Sequence, residues 1–150
     1  MSEPTVKIYD AENMVVGRLG AKVAKAAILG THVIIVNAEK AIITGDRRTL
    51  IEAWKKKQNI RTSYQPQKGP FHERRPDKMV RKMIRGMTAY PKPRGKEAYK
   101  RIHVFLGVPD EYADQEKIVL EKARYRSLTR KHITMAELSH ELGWRNPEAV

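Results

Sequence analysis

The chain has no cysteine, which excludes disulfides, thiolate metal sites and a thiol nucleophile. It also has no long apolar run. The longest charge-free stretch, from Ala26 to Ala38, is broken by Gly30, Thr31, His32 and Asn37 and falls short of the ~20 residues a membrane-spanning helix needs. The start, Met1-Ser2-Glu3-Pro4, lacks the basic-then-apolar order of a secretory signal. These absences predict a soluble, cytoplasmic protein with no membrane partner. At 150 residues the chain is the length of one domain, long enough to bury its own core, so residues 1–150 are expected to form a single domain.

Motifs that carry enzymatic chemistry are missing as well. Gly17-x-x-Gly20 precedes a helical pattern, but neither the full G-x-G-x-x-G fingerprint nor a G-x-x-x-x-G-K-[ST] loop occurs. A helix start that needs close packing explains the two glycines better than a nucleotide-binding turn. There is no G-x-S-x-G nucleophile elbow. The five histidines show no H-E-x-x-H or His-x-His spacing. Glu137-Leu138-Ser139-His140 has the Glu-x-x-His form of carboxylate-bridged di-iron sites, which need two such pairs on facing helices; this chain has one. No catalytic residue, metal, cofactor or small-molecule substrate is expected.

Acidic residues are scarce in one region. The chain carries 30 Lys and Arg against 17 Asp and Glu, a net charge of +13. Residues 55–101 hold 16 of the bases and only Glu73, Asp77 and Glu97 as acids, so the remainder of the chain is neutral. Charge gathered into one block concentrates field where dispersal would dilute it, which suits a polyanionic partner. Tyr64, Phe71, His72, Tyr90 and Tyr99 are interleaved with these bases, and flat rings can stack on unpaired bases while Lys and Arg meet phosphates. Pro66, Pro70, Pro91 and Pro93 limit collapse of the segment.

The predicted phosphate contacts are Arg61, Lys68, Arg74, Arg75, Lys78, Arg81, Lys82, Arg85, Lys92, Arg94, Lys96, Lys100 and Arg101, with Tyr64, Phe71 and His72 as stacking groups. Arg18, Lys40, Arg47 and Arg48 are further candidates near helix starts. A membrane-surface or calmodulin-target helix over residues 76–87 and a DNA-binding protein are the rival readings of the same charge, and a Rossmann-like enzyme is the rival of another class.

Hydrophobic patterning supplies the frame. Val6-Lys7-Ile8-Tyr9-Asp10 alternates as a short strand. Leu19, Val23, Ala26 and Ala27 share a helical face that ends near Gly30. Val33-Ile34-Ile35-Val36 is a continuous β-branched run, as in a strand buried on both faces. Ala41-Ile42-Ile43 is a further short strand, and a helix over Asp46–Gln58 turns Leu50, Ile51 and Trp54 inward. Residues 59–75 show no periodicity and read as an extended basic loop. Pro76 opens a third helix, whose stripe of Met79, Val80, Met83, Ile84 and Met87 is expected to pack on the sheet. Pro91 and Pro93 interrupt the chain, Ile102 to Leu106 alternates as a strand containing a packed or hydrogen-bonded His103, and Thr134-Met135-Ala136-Glu137 has capping-box spacing. Strands alternating with helices predict an α/β fold with a mainly parallel sheet.

Several stretches resemble one family. Val33 to Lys40 with Ile42-Ile43-Thr44-Gly45 is similar to the central motif of the large ribosomal subunit protein 13 family. Asp10-Ala11 with Gly17-Arg18-Leu19 resembles its first strand and helix. Val80 to Met87, Gly95, Ala98, Arg101 and Ile102-His103-Val104-Phe105-Leu106-Gly107 resemble its second signature region. Gly69-Pro70-Phe71-His72 and Leu138 to Glu141 with Gly143-Trp144 are similar to the archaeal and eukaryotic branch, and the short C-terminus suggests an archaeal source. The family places Leu-Pro directly after the Gly-Met pair, whereas here Thr88-Ala89-Tyr90 intervenes before Pro91. The resemblance implies a three-layer α/β/α fold with a four-stranded parallel sheet. It also implies a structural role, binding large-subunit ribosomal RNA, supporting early subunit assembly and contacting neighbouring large-subunit proteins.

Overall fold

The computed structural model describes residues 5–126 and 129–146. Its strands are β1 (Val6–Asp10), β2 (His32–Val36), β3 (Ile42–Thr44), β4 (Ile102–Val104) and β5 (His132–Thr134); its α-helices are α1 (Val16–Ile28), α2 (Arg47–Asn59), α3 (Pro76–Met87), α4 (Pro93–Lys100) and α5 (Met135–Glu141). The fold is mixed α/β with a parallel sheet of order β1-β2-β4. Ile8 pairs with Ile34, and Ile34 with His103.

The expected fourth strand does not join this sheet. β3 leaves to form a two-stranded antiparallel ribbon with β5, with Ile43 opposite Ile133. Among the described residues, only a one-residue parallel bridge, Tyr9 to Ile118, continues the main sheet beyond β1. The sequence signal for β3 is sound, but a strand pattern says nothing of its partner, and the partner lies some 90 residues downstream in a segment with no strand signature of its own.

The three-layer arrangement is not formed among the described residues, and the strand order gives the reason. Right-handed crossovers that keep moving in one direction lay their helices on the same face. The larger core cluster joins Tyr9, Val33, Ile35 and Ile102 of the sheet to Leu19 and Val23 of α1, Met79, Val80 and Ile84 of α3, Ala98 of α4 and Leu138 of α5. The opposite face, Ile8, Ile34 and Val36, is covered by Phe105, just past β4, and by Tyr112 of a single 3-10 turn, Asp110–Tyr112. His103 shares that face, but its ring is exposed and has no hydrogen-bond partner among the described residues, rather than being packed or hydrogen-bonded as its place in a strand predicts. Past Val104 the Phe105 amide still donates to the Ile35 carbonyl at 2.8 Å, and its ring falls on the His103 side of the strand, over this face.

Gly20 of α1 has its role in packing. A Cβ there would lie 2.9 Å from the Met87 sulfur and 3.3 Å from Ile84, so the glycine lets α3 approach α1. The methionine stripe does face the core, as its spacing predicts: Met79 and Ile84 are buried, Met83 half-buried and Met87 at the rim.

Candidate nucleic-acid interface

The basic block forms two connected structures. The first is an excursion between α2 and α3, closed at its base by two clamps. The His72 ring donates from Nε2 to the Ile60 carbonyl at 3.0 Å, and Lys82 Nζ donates to the Phe71 carbonyl at 2.7 Å. Residues 61–71 project beyond these clamps and, apart from Gly69, are exposed. The tip is ordered by its own contacts: Gly69 N–H donates to Pro66 at 3.2 Å, and a Cβ on Gly69 would press on Thr62 at 3.1 Å. Tyr64 and Phe71 stand out from it, 89% and 70% exposed. Such exposure is unusual for rings in a chain with so few, and leaves both free to stack.

The second structure is the α3–α4 corner, where the prolines do more than interrupt the chain. Pro93 occupies the first turn of α4, a place where its missing N–H costs nothing. Thr88 ends α3 with its hydroxyl donating to the Arg85 carbonyl at 2.8 Å, and Ala89 takes a left-handed φ of 53°. Gly95 then packs so closely that a Cβ would overlap the carbonyls of Thr88 and Ala89. The turn sets Tyr90 edge-on to Tyr99 with ring centres 5.4 Å apart. Arg85 lies 4.5 Å over Tyr90 and Arg81 4.6 Å over Tyr99. These tyrosines therefore serve as platforms for two guanidinium groups, a contact favourable by roughly 0.5–1 kcal/mol each at exposed sites.

The cations predicted from sequence divide into two sets. Arg61, Lys68, Arg74, Lys78, Lys92, Arg94, Lys96, Lys100 and Arg18 are exposed and have no ion-pair or hydrogen-bond partner among the described residues. The others are engaged within the chain. Arg75 holds Asp77 at 3.1 Å, Arg101 reaches the Ala27 carbonyl at 3.3 Å, and Lys82 closes the loop. Lys40, Arg47 and Arg48, just ahead of the block, pair with Glu12, Glu141 and Glu52 at 3.2, 3.0 and 3.0 Å. His72, expected to stack, is committed to the clamp and lines a small cavity of about 60 Å³ with Trp54, Met79 and Met83. Sequence reasoning passes over Lys55 and Lys56, exposed on α2 and without an ion-pair or hydrogen-bond partner among the described residues. The triple-lysine run is their signal, although on patterning alone it also suits the C-terminal end of a helix dipole.

An open α/β sheet binds nucleotides where its strand order reverses, and β1-β2-β4 runs one way throughout. The ends of the parallel strands are stitched together: Asn37 Nδ2 donates to Asp10 at 2.9 Å, and the Gly107 amide donates to Glu39 at 3.0 Å. No helix among the described residues is long and apolar enough to cross a membrane.

Fold and surface together define a basic α/β scaffold protein whose exposed chemistry is cationic and aromatic. A family model for ribosomal protein L13 matches residues 5–111, and the chain belongs to that family, whose members are structural constituents of the ribosome and not enzymes. Three archaeal relatives carry the name large ribosomal subunit protein uL13. The chain is 39% identical to that of Archaeoglobus fulgidus over 140 residues, covering 92% of this chain and 88% of the relative. It is 43% identical to that of Methanococcus maripaludis over 137 residues, covering 91% and 96%, and 39% identical to that of Sulfurisphaera tokodaii over 144 residues, covering 95% and 97%.

Proposed function

We propose that this protein is a structural component of the large subunit of the cytoplasmic ribosome, acting as a single domain that binds large-subunit ribosomal RNA through the 61–71 excursion and the α3–α4 corner. The observation that carries the reading is the unpaired set. From Arg61 to Lys100, eight of the expected phosphate contacts are exposed with no partner in the described chain, so their charge is available to phosphates. Tyr64 and Phe71 supply stacking surfaces beside them. Arg81 and Arg85 are presented on their tyrosines in fixed orientations, which suits bidentate contact with phosphate. The neutral body holds this surface in place, and neighbouring large-subunit proteins complete its surroundings. A protein that neutralises phosphates where RNA helices crowd together supports early steps of subunit assembly.

The test is incorporation. Charge reversal at Arg61, Lys68, Arg74 and Lys78 removes four unpaired cations and leaves the internal ion pairs intact. Reconstituted large subunits, separated on a gradient, should contain strongly reduced amounts of this variant. Incorporation at the wild-type level would refute the assignment of the excursion and α3 to the RNA.

A further inference from the structure

We infer that α1 carries a second phosphate-binding track, running from Lys122 through Arg18, Lys22 and Lys25 to Arg94, by which the protein grips RNA on a face outside the excursion. The inference rests on the RNA-binding reading above. Arg18, Lys22 and Lys25 fall at i, i+4 and i+7, a spacing that places them on one side of a helix. At about 1.5 Å rise per residue they span roughly 10 Å of the axis.

α1 contains no acidic residue. All three cations are exposed and have no partner among the described residues. A structural role would require a paired acid, and the acid nearest these cations, Glu121, is bonded elsewhere. The exposed Ala21 sits between them, small enough to let a sugar–phosphate backbone come close.

Two open grooves flank the helix. One, of about 620 Å³, is bounded by Arg18, Ala21, Lys22, Val119 and Lys122. Its acid, Glu121, is already held by Arg126 at 2.9 Å and Arg124 at 3.9 Å. The other, of about 410 Å³, sets Lys25 beside Arg94 of α4 and the rim residue Met87. The track thus joins the α4 end of the basic block, although α1 lies outside that block in sequence and the chain beyond the block is electrically neutral.

A membrane surface would use the same charges but needs an apolar face turned outward. The apolar face of α1, with Val16, Leu19, Val23 and Ala27, is buried in the core. Its outer face offers cations and alanine; the exposed apolar side chains beside it are split between its two flanks, Val119 in one groove and Leu29 with Met87 in the other, and do not make the continuous apolar face that a membrane helix inserts.

The experiment compares two variants of the full chain, Arg18→Gln/Lys22→Gln/Lys25→Gln and Arg61→Gln/Lys68→Gln/Arg74→Gln/Lys78→Gln, for binding to a large-subunit ribosomal RNA transcript from Methanococcus maripaludis. Because the substituted side chains are exposed and unpaired, both variants should keep the wild-type circular dichroism and melting temperature. The α1 variant should bind about tenfold more weakly, and the slope of log affinity against log salt should shrink by roughly 2, as expected for three lost phosphate contacts. Its backbone footprint should lack protections that the excursion variant retains.

An unchanged slope and footprint in the α1 variant would overturn the second track, whatever the excursion variant does. Loss in the α1 variant alone would establish the track and refute the excursion instead. Loss of binding to phosphatidylglycerol vesicles with RNA binding unchanged would overturn the track in favour of a membrane surface.

Discussion

α2 and α3 are nearly equal in length and both are basic, yet they are held in different ways. α3 buries Pro76, Met79, Val80 and Ile84 and has no side-chain cap at its start. α2 buries no residue fully and begins with Asp46 accepting from the Thr49 amide. One helix is fixed by the core, the other by local polar contacts and a half-buried edge of Leu50, Ile51 and Trp54. The cations on α3 are therefore displayed from a rigid wall, whereas α2 forms an outer support for the excursion.

The comparison is broken most directly by truncation. Ile84→Ala should cost ~2–5 kcal/mol, the usual range for a fully buried aliphatic side chain. Trp54→Ala, although it removes more atoms, should cost only ~1–2 kcal/mol because that ring is only half-buried. Urea denaturation of the two variants checks this, and equal losses would mean that α2 is as much a part of the core as α3.

Glycine substitutions sharpen the same contrast at the far end of α3. Gly86 is exposed, and a Cβ there would meet nothing within 4 Å, so Gly86→Ala should stabilise by ~0.4–1 kcal/mol. Gly95, pressed against the carbonyls of Thr88 and Ala89, should lose ~1–3 kcal/mol on the same change. Melting temperatures moving in opposite directions would show that the corner after α3 is set by close backbone packing.

Much of this is legible in the sequence, and the parts that are not share a cause. The burial of β2, the stripe of α3 and the capping box of α5, in which Thr134 and Glu137 satisfy each other's amides at 3.2 Å, are local patterns, and the fold realises each of them. The pairing of β3 with β5, the one-sided helix layer and the stacking of Arg81 and Arg85 on tyrosines 18 and 5 residues away depend on what the chain brings together from a distance. Charge shows the same limit. Composition locates the basic block, but only the structure separates Arg75 and Arg101, which serve internal contacts, from Arg74 and Lys78, which do not.

That separation predicts a difference between kinds of cation. Arg81→Lys/Arg85→Lys preserves charge but removes the stacked planar groups, and should weaken RNA binding about tenfold with little change in salt dependence. Lys55→Gln/Lys56→Gln on α2 should reduce affinity less and flatten the salt dependence. Binding isotherms over a salt series distinguish the two; identical behaviour would mean that orientation on α3 contributes nothing.

The smallest expected effect concerns how α2 begins. Asp46 is held below its ordinary carboxylate value of 3.8, first by the hydrogen bond from Lys131 and then by that from the Thr49 amide. Its partner Lys131 is correspondingly raised above 10.5, and the two lie 2.9 Å apart. The folded state thus favours the ionised carboxyl. Its contribution is complete above the ordinary carboxylate value and is lost as pH falls through the lowered one. Both groups are exposed, so the contact is weak and salt screens it. Acidification should therefore increase amide exchange in the first turn of α2 while the first turn of α3, anchored by buried Pro76, Met79 and Val80, stays protected. Asp46→Asn should exchange faster at neutral pH and lose the acid-dependent step at this turn, because its amide cannot titrate; a first turn of α2 that still loosened with acid in that variant would show that another group controls it.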